Sequence, residues 1–334
     1  MSWPRLVCLT LLLGGCGSPR QDAPVELVLL PTGSSFSAMT DSLVAHRIIA
    51  NRRAFTWLAR LGRFDTKVKA GYYEIKQGES PFVVLKTLAA GAEKTFRITI
   101  PEGFTIIQIA RLAEKTLGLP ADSVVAATKD PDLLREFGVQ GPSLEGYLLP
   151  ETYFVSKLIT PRGLVRELAT LFKKNWQPSW DTRLTELGMT RRELVTLASI
   201  VEGEAVVDDD RPVVAAVYLN RVRLRMPLQA DPTVQYAIEI ATGQRRPRLM
   251  DRDYSFPSEF NTYLHQGFPP TPVGAPSVKS IEAALDPAPV PYLFFVAGLD
   301  GKHVFTRTYG EHLRAIAKIR AAERLARRPR APTR

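Results

Sequence analysis

The chain has 334 residues, 45% of them hydrophobic and 23% charged, and carries a formal net charge of +10. That length is enough to bury a large core and to form two domains after a leader, with the composition of an ordinary globular protein. The positive balance fits an acidic polymer or an anionic membrane. However, much of it sits in Arg314, Lys318, Arg320, Arg324, Arg327, Arg328, Arg330 and Arg334. These residues read as a solvated helix running into a basic tail, and no nucleic-acid motif accompanies them, so nucleic acid is excluded as an expected partner.

Residues 1–5 are a short positive start and residues 6–15 are mostly apolar. About 20 apolar residues are needed to span a bilayer, so this run fits the core of a secretory signal instead. Leu13-Gly14-Gly15-Cys16 resembles a bacterial lipobox, in which the cysteine is lipidated and becomes the new N-terminus. The alternative is an ordinary signal peptide with a chance cysteine. Both cysteines, Cys8 and Cys16, lie in this leader, so the mature chain depends on packing rather than disulfides.

Residues 17–24 form a polar tether, and 25–30 a compact apolar strand ended by Pro31-Thr32-Gly33. Helical patterns follow over 37–45 and 53–61, with Phe55, Trp57 and Leu58 expected in the core. A strand over 70–75, a helix opened by Ser80-Pro81 and closed by Gly91, and a strand over 94–100 complete a small sheet with helices against it. This unit, with AGYYEIKQGESPFVVLKTLAAG at its centre, resembles a LysM-like module, a type that binds glycan chains elsewhere. A spacer between membrane and catalytic domain is an equal reading.

A second domain starts near Pro101-Glu102-Gly103. Residues 105–117 predict an amphipathic helix stopped by Gly118, and 121–127 and 132–137 predict short ones. The run from Ser143 to Tyr153 is a shaped loop that either packs or lines a groove with its aromatic rings. A long helix over 163–176 and a linker over 177–188 lead to the central stretch, TRRELVTLASIVEGEA, at 190–205.

Thr190 and Glu193 form a capping box there, and Leu194, Leu197, Ala198, Val201 and Ala205 recur at helical spacing. Glu202 and Glu204 flank Gly203 and, two residues apart at about 100° each, point in nearly opposite directions. Glu204 projects between Ile200 and Leu197, Glu202 between Ala198 and Val195. A carboxyl among bulky apolar groups loses solvation and holds a proton nearer to neutral pH. The plain alternative is a pair of solvated acids at a fraying helix end.

Beyond it, 208–211 is a charged turn and 212–224 a second amphipathic helix. Residues 226–234 are expected to be extended, with Asp231-Pro232 breaking any helix. Phe260-Asn261-Thr262-Tyr263 sits in a loop, and the proline-rich run 267–276 is stiff. A helix over 280–285, a hairpin of 292–296 with 303–306, and a capping box of Thr308 with Glu311 that opens the last helix finish the chain. His46, His265, His303 and His312 are scattered, and no phosphate loop or cysteine nucleophile motif is present, so neither metal nor cofactor is expected.

LASIVEGEA at 197–205, VYLNRV at 217–222, LQADPTV at 228–234, FNTY at 260–263, GFPP at 267–270 and PYLFFV at 291–296 occur in that order after EGYLLPETY at 145–153. The ordered set resembles the endolytic murein transglycosylase family, also called YceG-like, over about 25–325. The resemblance implies an α+β chain: a leader (1–16), a tether (17–24), a small LysM-like α/β module (25–100), a larger mixed α/β catalytic domain of the YceG-like type (101–325) and a basic tail (326–334). It implies internal cleavage of nascent peptidoglycan strands between N-acetylmuramic acid and N-acetylglucosamine. The products carry a 1,6-anhydro end, and elongation is terminated.

By the same resemblance, Glu204 is the catalytic acid and base, with Glu202 as runner-up. Asn220, Gln229, Asp231, Asn261 and Tyr263 are candidates to bind sugar hydroxyls and acetamido groups. Implied partners are glycan strands, peptidoglycan synthases and a membrane held through the N-terminus, with lipid on Cys16. The catalytic domain would lie in the periplasm, at the inner membrane by family or the outer membrane if lipidated. Two features depart from the family pattern: Gly203 replaces a lysine-like residue, which is expected to loosen the helix end, and the leader is shorter than a membrane anchor. A hydrolase needs a second carboxylate about 5–9.5 Å away, for which Asp208, Asp209, Asp231 or Glu151 stand as candidates. A non-enzymatic glycan-binding scaffold is a third possibility.

Overall fold

The computed structural model describes residues 23–326. Cys16, the rest of the leader, tether residues 17–22 and tail residues 327–334 lie outside the described residues. The described chain mixes helices with three two-stranded sheets and divides into two units. The first holds residues up to Arg97 together with Phe154–Ile159, and the second holds Ile98–Tyr153 and everything from Thr160 onwards.

In the first unit, β1 (Val25–Leu30) pairs antiparallel with β2 (Gly71–Lys76), from Val25 opposite Lys76 to Leu30 opposite Gly71. Between them lie α1 (Phe36–Ala45) and α2 (Arg52–Leu61), whose first turns are capped by the side chains of Ser35 and Asn51. The next helix, α3 (Pro81–Ala90), begins on proline and ends at Gly91 in the left-handed conformation. Val28, Leu30, Leu43, Phe55, Tyr73, Leu85 and Leu88 fill the core. Trp57 does not join them: it is 71% exposed, on the side of α2 opposite Phe55. Two residues along a helix is a turn of about 200°, so Phe55 and Trp57 cannot both face inward. The strand β3 (Thr95–Thr99) pairs with β4 (Thr152–Ser156), not with β1 or β2, and β4 occupies the end of the stretch read as a loop.

The second unit is mostly helical. It runs through α4 (Ile106–Leu117), α5 (Ala121–Thr128), α6 (Pro131–Phe137), α7 (Pro161–Asn175) and α8 (Pro178–Leu187). The stretch read as a linker is therefore helical: Pro178 takes the first helical position and Gly188 the left-handed cap. Then come α9 (Arg191–Glu204), α10 (Arg211–Arg223), α11 (Asp231–Thr242) and α12 (Val278–Leu285), followed by the hairpin β5 (Phe294–Ala297) and β6 (His303–Thr306), and finally α13 (Tyr309–Ala326). Pro232 opens α11 instead of breaking a helix, because a proline in the first turn withholds an N–H that has no helical partner anyway.

The organising element is α9. All eight residues from Leu194 to Val201 are buried, and α8, α10, α11 and α12 pack around it. Its buried Ser199 hydroxyl donates to the Thr196 carbonyl and accepts from the Val273 N–H. A helix buried on every side, not only on the face traced by its periodicity, is held mainly by packing. Each of its fully buried Leu, Ile and Val side chains contributes roughly 1.5–3 kcal/mol.

The loop from Ser143 to Pro150 packs beside α9, with Leu144 to Leu149 buried. Gly146 adopts φ +83°, and a Cβ there would fall 2.4 Å from Pro272 and 2.9 Å from Val195. The Glu145 carboxylate accepts from the Ile106 N–H at the start of α4. Among the described residues no helix is long and apolar enough to cross a membrane.

Candidate active site

The two acids at the end of α9 have opposite surroundings. Glu202 is closed in, its side chain 4% exposed. One of its oxygens accepts from Arg211 at 2.9 Å; the other accepts from the Ser277 N–H at 2.8 Å and from the Ser277 hydroxyl. Arg211 also reaches Asp208 and Ser280. Glu202 thus clamps the start of α10 and the start of α12 to α9. With both oxygens engaged, it has no lone pair aimed at open space.

Glu204 lines a cavity of about 250 Å³ with Tyr218, Arg221, Leu228, Gln229, Asp231, Tyr263, Phe295 and His312. Its Oε1 accepts from the Tyr218 hydroxyl at 2.9 Å. The surrounding protein strips water from the carboxyl and raises its pKa to about 7. Asp231 pushes the same way by charge, while the Tyr218 hydroxyl, the Asp231 backbone N–H and the Arg221 guanidinium pull it back. The walls are mostly polar, so the desolvation arises from enclosure by many groups and not from an apolar turn of α9 alone.

Helices α10, α11 and α13, strand β5 and two loops supply those walls. Tyr218 and Arg221, one turn apart on α10, face the cavity together. Arg221 is pinned by three backbone carbonyls: Nε donates to Leu293 at 2.7 Å, and Nη1 to Leu228 at 2.7 Å and to Pro227 at 3.4 Å. Gln229 holds a left-handed backbone at φ +51°, uncommon for a residue with a side chain. The Asp231 carboxylate accepts from the Tyr263 hydroxyl at 2.7 Å and from Tyr254 at 3.5 Å, and those two rings lie 4.6 Å apart. From β5, Phe295 meets Tyr218 edge-on at 5.8 Å, and α13 contributes His312.

Gln229, Asp231 and Tyr263 are therefore brought to Glu204, whereas Asn220 and Asn261 are not. Asn220 follows Tyr218 by about 200° on α10 and lines a separate cavity of about 640 Å³, where its amide donates to the carbonyls of Val290 and Tyr292. That larger cavity is lined by Arg183, Arg223, aliphatic residues and the Pro287–Pro291 strap, with no carboxylate among them. Asn261 is fully buried; its amide donates to the carbonyls of Tyr254 and Phe256, and its oxygen accepts from the Tyr263 N–H. It holds the loop that carries Tyr263. Sequence reasoning passed over Tyr218, Arg221, Phe295 and His312. A signal existed for the first two: a tyrosine and an arginine at i, i+3, one turn apart on the same face of a helical pattern. Nothing local marks the others, which arrive from the hairpin and the last helix.

Of the acids considered as a second carboxylate, only Asp231 shares the cavity; Asp208 pairs with Arg211 and Lys279. Among the described residues no group of three or more His, Cys, Asp or Glu is placed to hold a metal. A carboxyl able to carry a proton near neutrality, beside a fixed cation and hydroxyl donors, is suited to acid–base work on an uncharged polar polymer.

The sequence model of the YceG-like family matches residues 28–318, and the chain belongs to that family. It is 30% identical over 304 residues to the endolytic murein transglycosylase of Bacillus subtilis strain 168, covering 86% of this chain and 83% of the relative. A protein of the same name from Streptococcus pneumoniae serotype 2 is 30% identical over 318 residues, 86% of this chain. The chain spans 57% of that longer relative. Among solved structures, a YceG-like protein from Listeria monocytogenes superposes with a TM-score of 0.60 at 29% identity, covering 87% of this chain and 98% of that one.

Proposed function

We propose that this protein is an endolytic murein transglycosylase that cleaves peptidoglycan strands between N-acetylmuramic acid and N-acetylglucosamine, with Glu204 as its only acid–base group. The observation that carries the reading is the Glu204 carboxyl, poised at about 7 in a polar cavity within the family's motif. A group with that pKa is available in both protonation states near neutrality, and a reaction without water needs both in turn. Protonated Glu204 gives its proton to the glycosidic oxygen as the bond to C1 of the muramyl residue breaks. The resulting carboxylate then takes the proton of the muramyl C6 hydroxyl, whose oxygen bonds to C1 and closes the 1,6-anhydro ring. The proton count balances and no second carboxylate is required.

Arg221, fixed by three carbonyls, stabilises Glu204 while it is ionised between the two transfers, and the Tyr218 hydroxyl does the same through its hydrogen bond. Gln229, Asp231 and Tyr263 are the proposed sugar contacts. The test is muropeptide analysis after digestion of isolated peptidoglycan with wild type and Glu204→Gln. Anhydro-ended products are expected from the first and none from the second; continued release by a folded variant would reject the role of Glu204.

Asp231 supports a second reading, a hydrolase, because it is a carboxylate in the same cavity. Reducing-end products that take up solvent oxygen would favour it. We place the chain at the cell envelope, held through lipid on Cys16 and working beside peptidoglycan synthases, with residues 25–100 as a LysM-like glycan-binding module. Labelling with radioactive palmitate in wild type and Cys16→Ala tests the anchor.

A further inference from the structure

His312 is the one histidine that lines the Glu204 cavity, and it arrives from α13, an element the proposed chemistry does not otherwise use. Its ring lies over Phe294, with centroids 5.5 Å apart and planes at 25°, which fixes the plane of the imidazole. Its two nitrogens are in different situations. Nδ1 is buried with no hydrogen-bond partner. No hydrogen bond ties Nε2 to the protein among the described residues, and the open space that His312 lines is the cavity.

This arrangement decides the tautomer. Burial first and the Arg221 guanidinium second keep the ring's pKa below its usual value, so the ring is neutral at neutral pH. A neutral ring carries one proton. On Nδ1 that proton would be a buried N–H with no acceptor, a rarer and costlier state than an idle lone pair. The proton therefore sits on Nε2 and points into the cavity as an uncharged donor.

We propose that His312 is a substrate-contacting residue whose Nε2–H donates to the acetamido carbonyl of an amino sugar in the Glu204 cavity, so that the site distinguishes N-acetylated strands from de-N-acetylated ones. The inference rests on the reading of the cavity as a glycan site. A carbonyl suits a neutral donor better than a carboxylate does, and the ammonium that replaces each lost acetyl group has no acceptor to offer the Nε2–H.

The test measures binding without turnover. In the full chain carrying Glu204→Gln, affinities for uncrosslinked N-acetylated glycan strands and for the same strands after chemical de-N-acetylation are compared across His312→Ala, His312→Asn and His312→Gln. Loss of one such hydrogen bond should weaken binding of acetylated strands about tenfold in the Ala and Asn variants. His312→Gln, whose amide nitrogen falls where Nε2 was, should recover most of the loss. The de-N-acetylated strands should bind all four proteins alike.

Equal losses on both strand types, no loss at all, or equal losses in Gln, Asn and Ala would overturn the proposal. The tautomer is read independently from long-range ¹⁵N–¹H spectra of His312 in the otherwise wild-type protein, where a proton on Nδ1 would also overturn it. Glu204→Gln that still released anhydro products would refute the proposed reaction, while the binding comparison would still decide the role of His312.

Discussion

At the scale of single residues, two glutamates two positions apart have been given separate work by what surrounds them. Glu202 meets an arginine and a serine; Glu204 meets a tyrosine and a cavity. The Tyr218 hydrogen bond favours the ionised form of Glu204, so removing it in Tyr218→Phe raises the Glu204 pKa further. The alkaline limb of the pH–activity profile should then move to higher pH, with a lower maximum because the ionised state is less well supported. A limb that stays in place would show that Glu204 is not the titrating acid.

The same burial has a stability consequence. The folded pKa of about 7 lies above the value of 4.5 that the same carboxyl has in the unfolded chain, so the protonated form is the one the fold favours, and stability is lost as pH rises from 4.5 through 7. Glu204→Gln removes that loss. It should unfold at a higher temperature than wild type at pH 8 and at nearly the same temperature at pH 4, a comparison that scanning calorimetry makes directly.

At the scale of elements, the site depends on two helix ends meeting: the last turn of α9 and the first turn of α11. Gly203 permits it. A Cβ at that position would lie 2.6 Å from the Pro232 Cγ and 2.8 Å from its Cβ, and the proline ring cannot swing aside. The absence of a side chain at Gly203 lets α11 seat against α9, next to the Asp231 N–H that bonds Glu204. Gly203→Ala should therefore push α11 away and reduce turnover roughly 10- to 100-fold. A variant with unchanged kcat would show that this contact is dispensable.

Much of the element order was legible because its signals are local. The capping box at Thr190, the proline and glycine around α3 and the glycine after α4 each mark a boundary within a few residues. The failures are local signals whose sense depends on context. The stretch 177–188 reads as a linker and Asp231-Pro232 as a breaker, yet Pro178 and Pro232 open helices, and Trp57 reads as core yet sits on the solvent side of its helix. Of the cavity's lining, the sequence singled out Glu204, Gln229, Asp231 and Tyr263 through the ordered motifs. His312 and Phe295 could not be placed, because only the closed fold carries the hairpin and α13 to the cavity.

At the scale of the whole molecule, Glu145 sets a second pH dependence. It is 3% exposed and its pKa is raised to about 8, first by burial and then by the neighbouring Glu239, although the Ile106 N–H and Tyr236 oppose the shift. Stability from this group is complete below 4.5 and is lost as pH rises through 8. The lowered carboxylates, Asp41, Asp130, Asp208 and Glu311, act in the opposite sense: their contribution is lost only as pH falls below the usual carboxylate range, and as solvated groups they count for little. The net expectation is a protein sturdier at pH 5 than at pH 8. Glu145→Gln, which can still accept from Ile106 through its carbonyl, should narrow that difference in urea unfolding at the two pH values. An undiminished difference would place its origin elsewhere.

The enclosure of α9 on all sides has one more consequence. An acid mounted on the most tightly held rod of its unit cannot advance or retreat on its own; the scaffold would have to shift as one piece. Any give that a passing polymer demands must then come from the peripheral parts facing it: the turn bearing Gln229, the two-stranded hairpin and the last helix. A compound shaped to the rod and the helices seated on it therefore meets a target whose form the core has already set.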